Sequence, residues 1–116
     1  MLLISEPQMR ALHALAFPRW LENHLTEHFP EAARTMAPGG LVGLIDSGTA
    51  AARSLGFTEP VEVCQYLDIL MALYPDPDTD TWAARQLNGL QGRSPQERMA
   101  HLLNVSSERL ANTAHG

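Results

Sequence analysis

The sequence is poor in several residue types, and each shortage narrows the possible classes of protein. It has a single cysteine, Cys64, which excludes an intrachain disulfide framework and a cysteine-rich zinc site. It has no lysine, and its eight basic residues are arginines set against thirteen acidic residues, for a net charge of −5. General nucleic-acid binders and proteins of anionic membranes need a basic surface, so we expect neither activity here.

Long hydrophobic runs are also missing. The apolar stretches fall far short of the roughly eighteen residues that a membrane span requires. The opening Met1–Ile4 stretch is too short for the core of a signal peptide. We therefore expect a soluble, intracellular protein.

β-branched residues are scarce as well: four Val and three Ile stand against seventeen Leu and fifteen Ala. The apolar part of the chain thus consists of good helix formers. At 116 residues the chain has the length of one ordinary domain. We predict an all-α fold, a compact bundle of about five helices over residues 1–110. Residues 111–116 have too little apolar surface to be held and are predicted to form a frayed tail.

Residues that typically begin or end helices predict where the first helices lie. A capping pattern at Ser5–Gln8 predicts a helix that ends near His28. Its apolar face stays in phase through Pro18, which favours one kinked helix, although a true break at Pro18 stays open. A short helical turn over residues 31–36 and a Pro-Gly-Gly loop at residues 38–40 are predicted to follow.

The next helix begins at Leu41 and carries small residues in the middle of its apolar face. Gly48 and Ala52 would let a neighbouring helix approach closely. Gly56 is predicted to end this helix in a left-handed cap.

The stretch near residues 59–74 is predicted to be the central helix of the bundle. Thr58 and Pro60 provide a capping hydroxyl and a favourable first residue. Apolar residues cover well over half of the circumference and leave a narrow polar strip around Glu62 and Asp68, as in a helix surrounded by others.

Two further helices are predicted after an acidic loop at residues 76–80. The first carries Trp82, and the second starts at the capping box Ser94–Glu97. Ser106 or Ser107 is predicted to cap a separate last turn.

One pattern suggests a metal enzyme. His24, Glu27 and His28 fit the H-x-x-E-H motif of inverted zinc peptidases. A catalytic zinc also needs a third protein ligand and a substrate cleft, and the spacing alone is common in helices. We therefore interpret these residues as part of an amphipathic helix end, predict no metal site and no cofactor, and keep a zinc peptidase only as a distant alternative.

The charge distribution is more informative than any motif. Residues 58–80 contain six acidic and no basic residues. Complementary charge steers protein encounters, and aromatic side chains anchor interfaces, so this segment is a candidate docking surface for a basic partner protein. The alternative, a solvated acidic face with its aromatics in the core, stays open. The predicted partner-binding residues are Glu59, Glu62, Asp68, Asp76, Asp78, Asp80, Tyr74 and Trp82.

The segment from Gly56 to Trp82 combines a helix-ending Gly-Phe pair, an acid-rich cap, a V-x-x-Y-L helix, an acidic D-x-D loop and a tryptophan. It resembles a family of small bacterial helical proteins encoded beside PAAR-type spike proteins and toxic effectors of type VI secretion. The chain departs from that pattern at Pro18, where the family usually has unbroken helix, and at Pro77, which replaces an aromatic residue. The residues that carry the resemblance in this segment are Gly56, Phe57, Glu59, Val63, Tyr66, Leu67, Tyr74, Asp76, Asp78 and Trp82.

The resemblance implies a protein that is not an enzyme. It suggests a cytoplasmic adaptor or co-chaperone that binds an effector, the chaperone of that effector or the spike protein during loading of the secretion complex. An immunity protein that neutralises a neighbouring toxin is the alternative, since such proteins are also small, acidic and cytoplasmic.

Overall fold

The computed structural model describes the backbone of residues 17–115 and the side chains of residues 17–112. This part of the chain is all-α and contains no strand, which confirms the predicted fold class. The start signal at Ser5–Gln8 and the first half of the predicted first helix lie outside the described residues. The helices are α1 (Phe17–His28), α2 (Pro30–Thr35), α3 (Gly40–Ser54), α4 (Pro60–Ala72), α5 (Thr79–Gln86) and α6 (Pro95–His115).

α3 ends as the sequence predicts, in a left-handed glycine cap. Gly56 has φ of +93°, and the N–H of Phe57 donates to the carbonyl of Ala52 at 2.9 Å, the long hydrogen bond of a Schellman motif. Arg98 of α6 completes this end: its guanidinium donates to the carbonyl of Leu55 and lies 5.2 Å from the centre of the Phe57 ring. The C-terminal helix is therefore tied to the α3–α4 connection.

α4 is the central helix, as predicted. Eight of its 13 residues are buried, and it contacts α1, α3 and α6. The close approach predicted at Gly48 is confirmed, since a Cβ there would lie 2.5 Å from a methyl carbon of Leu67. The predicted cap is wrong by one residue: Glu59, not Thr58, is the N-cap of α4.

α6 starts at the predicted capping box, where the N–H of Glu97 donates to the Ser94 hydroxyl at 3.1 Å. The predicted separate last turn is wrong, because α6 continues without a break to His115. The hydroxyls of Ser106 and Ser107 donate to carbonyls one turn earlier in the same helix, at 2.7 and 3.1 Å, and so do not cap a new one. Over residues 17–115, no helix has the length and apolar character needed to cross a bilayer.

Candidate functional site

The six acidic residues predicted to form one docking surface do not lie on one surface. Glu59 is exposed just before α4, whereas Asp76, Asp78 and Asp80 follow it. At 1.5 Å per residue, the 13 residues of α4 separate the two groups by about 20 Å. The acidic turn at residues 76–80 is therefore a site of its own.

Glu62 and Asp68 lie between these two groups and are buried, with relative exposures of 3% and 4%. The carboxylate of Glu62 accepts a hydrogen bond from the backbone N–H of Glu59 at 3.4 Å, which satisfies a free donor at the start of α4. The expectation that both residues belong to an exposed polar strip is corrected by their burial, and neither side chain is available to a partner.

Asp68 is instead part of a buried polar cluster between α1 and α4. Its Oδ1 lies 2.9 Å from Nε2 of His24, and both side chains are buried. Trp20 stacks on the imidazole, with ring centres 4.8 Å apart and planes inclined by 12°. Cys64 lies one turn before Asp68 on the same face of α4. The potential ligand atoms of His24, Cys64 and Asp68 all lie within 4.8 Å of one another; we call these three residues the buried triad.

The Cys64 thiol is held in its neutral form. Burial raises its pKa above the ordinary value, and the neighbouring Asp68 carboxylate raises it further. A neutral, buried thiol is a poor nucleophile, so this geometry does not favour nucleophilic catalysis by Cys64.

The H-x-x-E-H residues are divided between the interior and the surface, although the rings of His24 and His28 lie close together, with centres 4.7 Å apart. His24 faces Asp68 across the α1–α4 contact, while Glu27 and His28 are exposed. The sequence did contain a signal for the triad, because Cys64 and Asp68 are four residues apart in a helix. Their partner His24 comes from another helix 44 residues away from Asp68, which local spacing does not reveal.

Within the acidic turn, the three carboxylates have different environments. Asp76 is half-buried and forms an ion pair with Arg109. The exposed Asp80 accepts a hydrogen bond from the hydroxyl of the buried Tyr66. Asp78 is exposed, and its backbone N–H donates to the Asp76 carboxylate at 2.9 Å. Of the three carboxylates, Asp76 is the one whose negative charge is balanced by an arginine.

The two predicted aromatic anchors also differ. The guanidinium of Arg109 lies 5.0 Å from the centre of the Trp82 ring, so one face of Trp82 is covered. Tyr74 is half-buried and borders an open groove of about 790 Å³ between α2 and the end of α4. Tyr74 thus lies between the groove and the acidic turn. The apolar and aromatic residues along the groove include Phe29, Pro30, Ala32, Met71 and Pro75.

The resemblance of residues 56–82 to the type VI accessory family can be tested by comparison with known proteins. No family model, curated protein or solved structure matches the chain. The resemblance stays a prediction.

Proposed function

We propose that this chain is a non-catalytic protein-binding module, an adaptor or co-chaperone that acts in the cytoplasm during loading of a type VI secretion effector. The observation that supports the proposal best is the juxtaposition of an exposed acidic turn with an apolar groove. Tyr74 lines the groove together with Phe29 and Met71, and it also lines a second hollow together with Asp80. Asp78 and Asp80 are both exposed.

This juxtaposition suits a partner segment that carries basic residues beside an apolar one. The exposed carboxylates would steer and orient the basic side chains. The groove would bury the apolar side chain, and Tyr74 would be the aromatic anchor between the two. Pro75 and Pro77 restrict the backbone of the turn, which lowers the entropy lost when a partner orders it.

Glu59 has a smaller role in this proposal than the sequence suggested. It lies at the opposite end of α4, and Glu62 and Asp68 between the two ends are buried. The partner-binding residues of the revised surface are Asp78, Asp80 and Tyr74, with Asp76 and Trp82 held in place by Arg109.

The test is a charge reversal, Asp78→Arg, with binding measured against type VI effectors, their chaperones and PAAR-type spike proteins. Asp76 and Asp80 are left unchanged because they hold Arg109 and Tyr66. We expect the dissociation constant to rise about tenfold or more, equivalent to about 1.4 kcal/mol, and its salt dependence to weaken.

Asp46→Arg is the matched control, since Asp46 is an exposed acid on α3 that lines neither the groove nor the hollow beside the acidic turn. It changes the net charge by the same amount and should leave affinity almost unchanged. Equal loss of affinity in both variants would show that only overall charge matters, and unchanged binding by Asp78→Arg would contradict the proposed surface.

An immunity protein is the second candidate, because the same acidic turn could cover a basic cleft of a toxin. The two functions differ in a cell-survival assay. An immunity protein rescues cells that express the neighbouring toxin, whereas an adaptor is dispensable for self-protection and co-purifies with a chaperone or spike protein.

A further inference from the structure

The buried triad consists of three side chains that proteins commonly use to bind metal ions: an imidazole, a thiol and a carboxylate. His24, Cys64 and Asp68 are all buried, and no other group of three or more possible metal ligands lies close together among the described side chains. We propose that the triad is a binding site for one zinc-like transition-metal ion that joins α1 to α4. This proposal is independent of the docking surface.

The distances within the triad are near those that a metal ion requires. Tetrahedral zinc, with bonds of about 2.0–2.3 Å, needs its ligand atoms about 3.3–3.8 Å apart. The imidazole nitrogen and carboxylate oxygen are 2.9 Å apart, and all three ligand atoms lie within 4.8 Å. Side-chain adjustments of about 1 Å or less would therefore bring the three groups to bonding distance.

The helices hold these ligands in a defined arrangement. Cys64 and Asp68 are one turn apart on α4, so they project from the same face. His24 approaches from α1, with its ring stacked on Trp20 at 4.8 Å. Stacking limits rotation of the imidazole ring.

The charges of the triad balance those of a divalent ion. On binding, the thiol of Cys64 loses its proton to solvent, and the sulfur–metal bond forms. The resulting thiolate and the Asp68 carboxylate together offset the two positive charges, so the buried site is neutral, which lowers the cost of removing the ion from water. Binding also breaks the hydrogen bond between Nε2 of His24 and Oδ1 of Asp68. The ring proton on Nε2 passes to Nδ1 through solvent, so that Nε2 can bind the ion.

The donor set also indicates which ions fit. Thiolate and imidazole ligands favour zinc and cobalt, whereas magnesium and calcium prefer oxygen ligands. The three protein ligands leave a fourth tetrahedral position for water. The exposed His28 has its ring centre 4.7 Å from that of His24. Substitution of His28 therefore distinguishes an ion bound by the two histidines of the H-x-x-E-H motif from an ion bound by the triad.

The experiment uses the full chain purified without an affinity tag, treated with a chelator and titrated with Co²⁺. We expect one cobalt per chain, a near-ultraviolet charge-transfer band from the cobalt–thiolate bond, and displacement by Zn²⁺ but not by Mg²⁺. The absence of that band at saturating cobalt in the folded wild-type protein would overturn the proposal, without reliance on any variant.

Cys64→Ser and His28→Gln are compared under the same conditions, with helical content checked by circular dichroism. Cys64→Ser should lose the charge-transfer band, whereas His28→Gln should keep the band and the one-to-one stoichiometry. Loss of metal binding in His28→Gln with the band intact in Cys64→Ser would overturn the triad and assign the ion to the His24–His28 pair.

Discussion

Asp68 and Asp78 belong to the same acidic segment of the sequence, yet they lie in opposite environments. Asp68 is 4% exposed and bonded to His24, whereas Asp78 lies on the surface in the turn after α4. Removing a partner from a buried polar group leaves the other group without its hydrogen bond, while water replaces a lost contact at the surface. A run of like charges in a sequence thus contains residues with structural roles and residues available for binding.

The largest single loss of stability should come from truncating one of these two carboxylates. Asp68→Ala leaves the buried His24 without its partner and should lower the free energy of unfolding by about 3 kcal/mol. Asp78→Ala removes an exposed side chain and should change it by less than about 0.5 kcal/mol. Urea denaturation followed by circular dichroism measures both. Similar values for the two variants would show that the His24–Asp68 contact contributes little.

The α3–α4 contact allows a second comparison, of intermediate size. A Cβ at Gly48 would lie 2.5 and 2.8 Å from methyl carbons of Leu67 and Leu70, so Gly48→Val should cost about 1–3 kcal/mol through overpacking. In the same helix, a Cβ at Gly43 meets nothing within 4 Å. Gly43→Ala should therefore stabilise the protein by about 0.5–1 kcal/mol. Thermal melting of both variants shows whether each substitution raises or lowers stability. Destabilisation by Gly43→Ala would contradict the absence of neighbouring atoms around position 43.

The smallest effect is expected at the arginines. Arg109→Ala removes an ion pair with Asp76 and a contact with the Trp82 ring, and should cost about 1 kcal/mol. Arg93 pairs with Glu97 at 3.3 Å, with both side chains more than half exposed, so Arg93→Ala should cost about 0.3 kcal/mol. Chemical denaturation measures the free energy of unfolding of the two variants. An equal loss in both would mean that partial burial does not strengthen the contacts of Arg109.

Local features of the fold could be predicted from the sequence because short-range chemistry determines them. Gly56 reaches positive φ without a steric cost, and the Ser94 hydroxyl accepts a hydrogen bond from the N–H of Glu97, only three residues later, as an N-cap does. The broad apolar surface of residues 59–74 identified the central helix for a similar reason, since its composition alone requires neighbours on most sides.

The site was harder to predict because its contacts join distant parts of the chain. Arg109 is 33 residues from Asp76, and Tyr66 is 14 residues from Asp80. The amino-acid sequence alone does not distinguish the acidic residues of segment 58–80 from one another. Only the packing of α4 against α1 and α6 decides which of them are buried or paired, and that packing depends on the tertiary fold.

The contacts of Arg98 with Leu55 and Phe57 also affect the order in which the chain folds during its synthesis. The chain leaves the ribosome from its N-terminus, and the guanidinium that completes the end of α3 is added 43 residues after Leu55. Until α6 emerges, the connection into α4 lacks this hydrogen bond and the cover over the Phe57 ring. The nascent chain therefore acquires the tertiary contacts of this connection only after α6 has emerged and can dock.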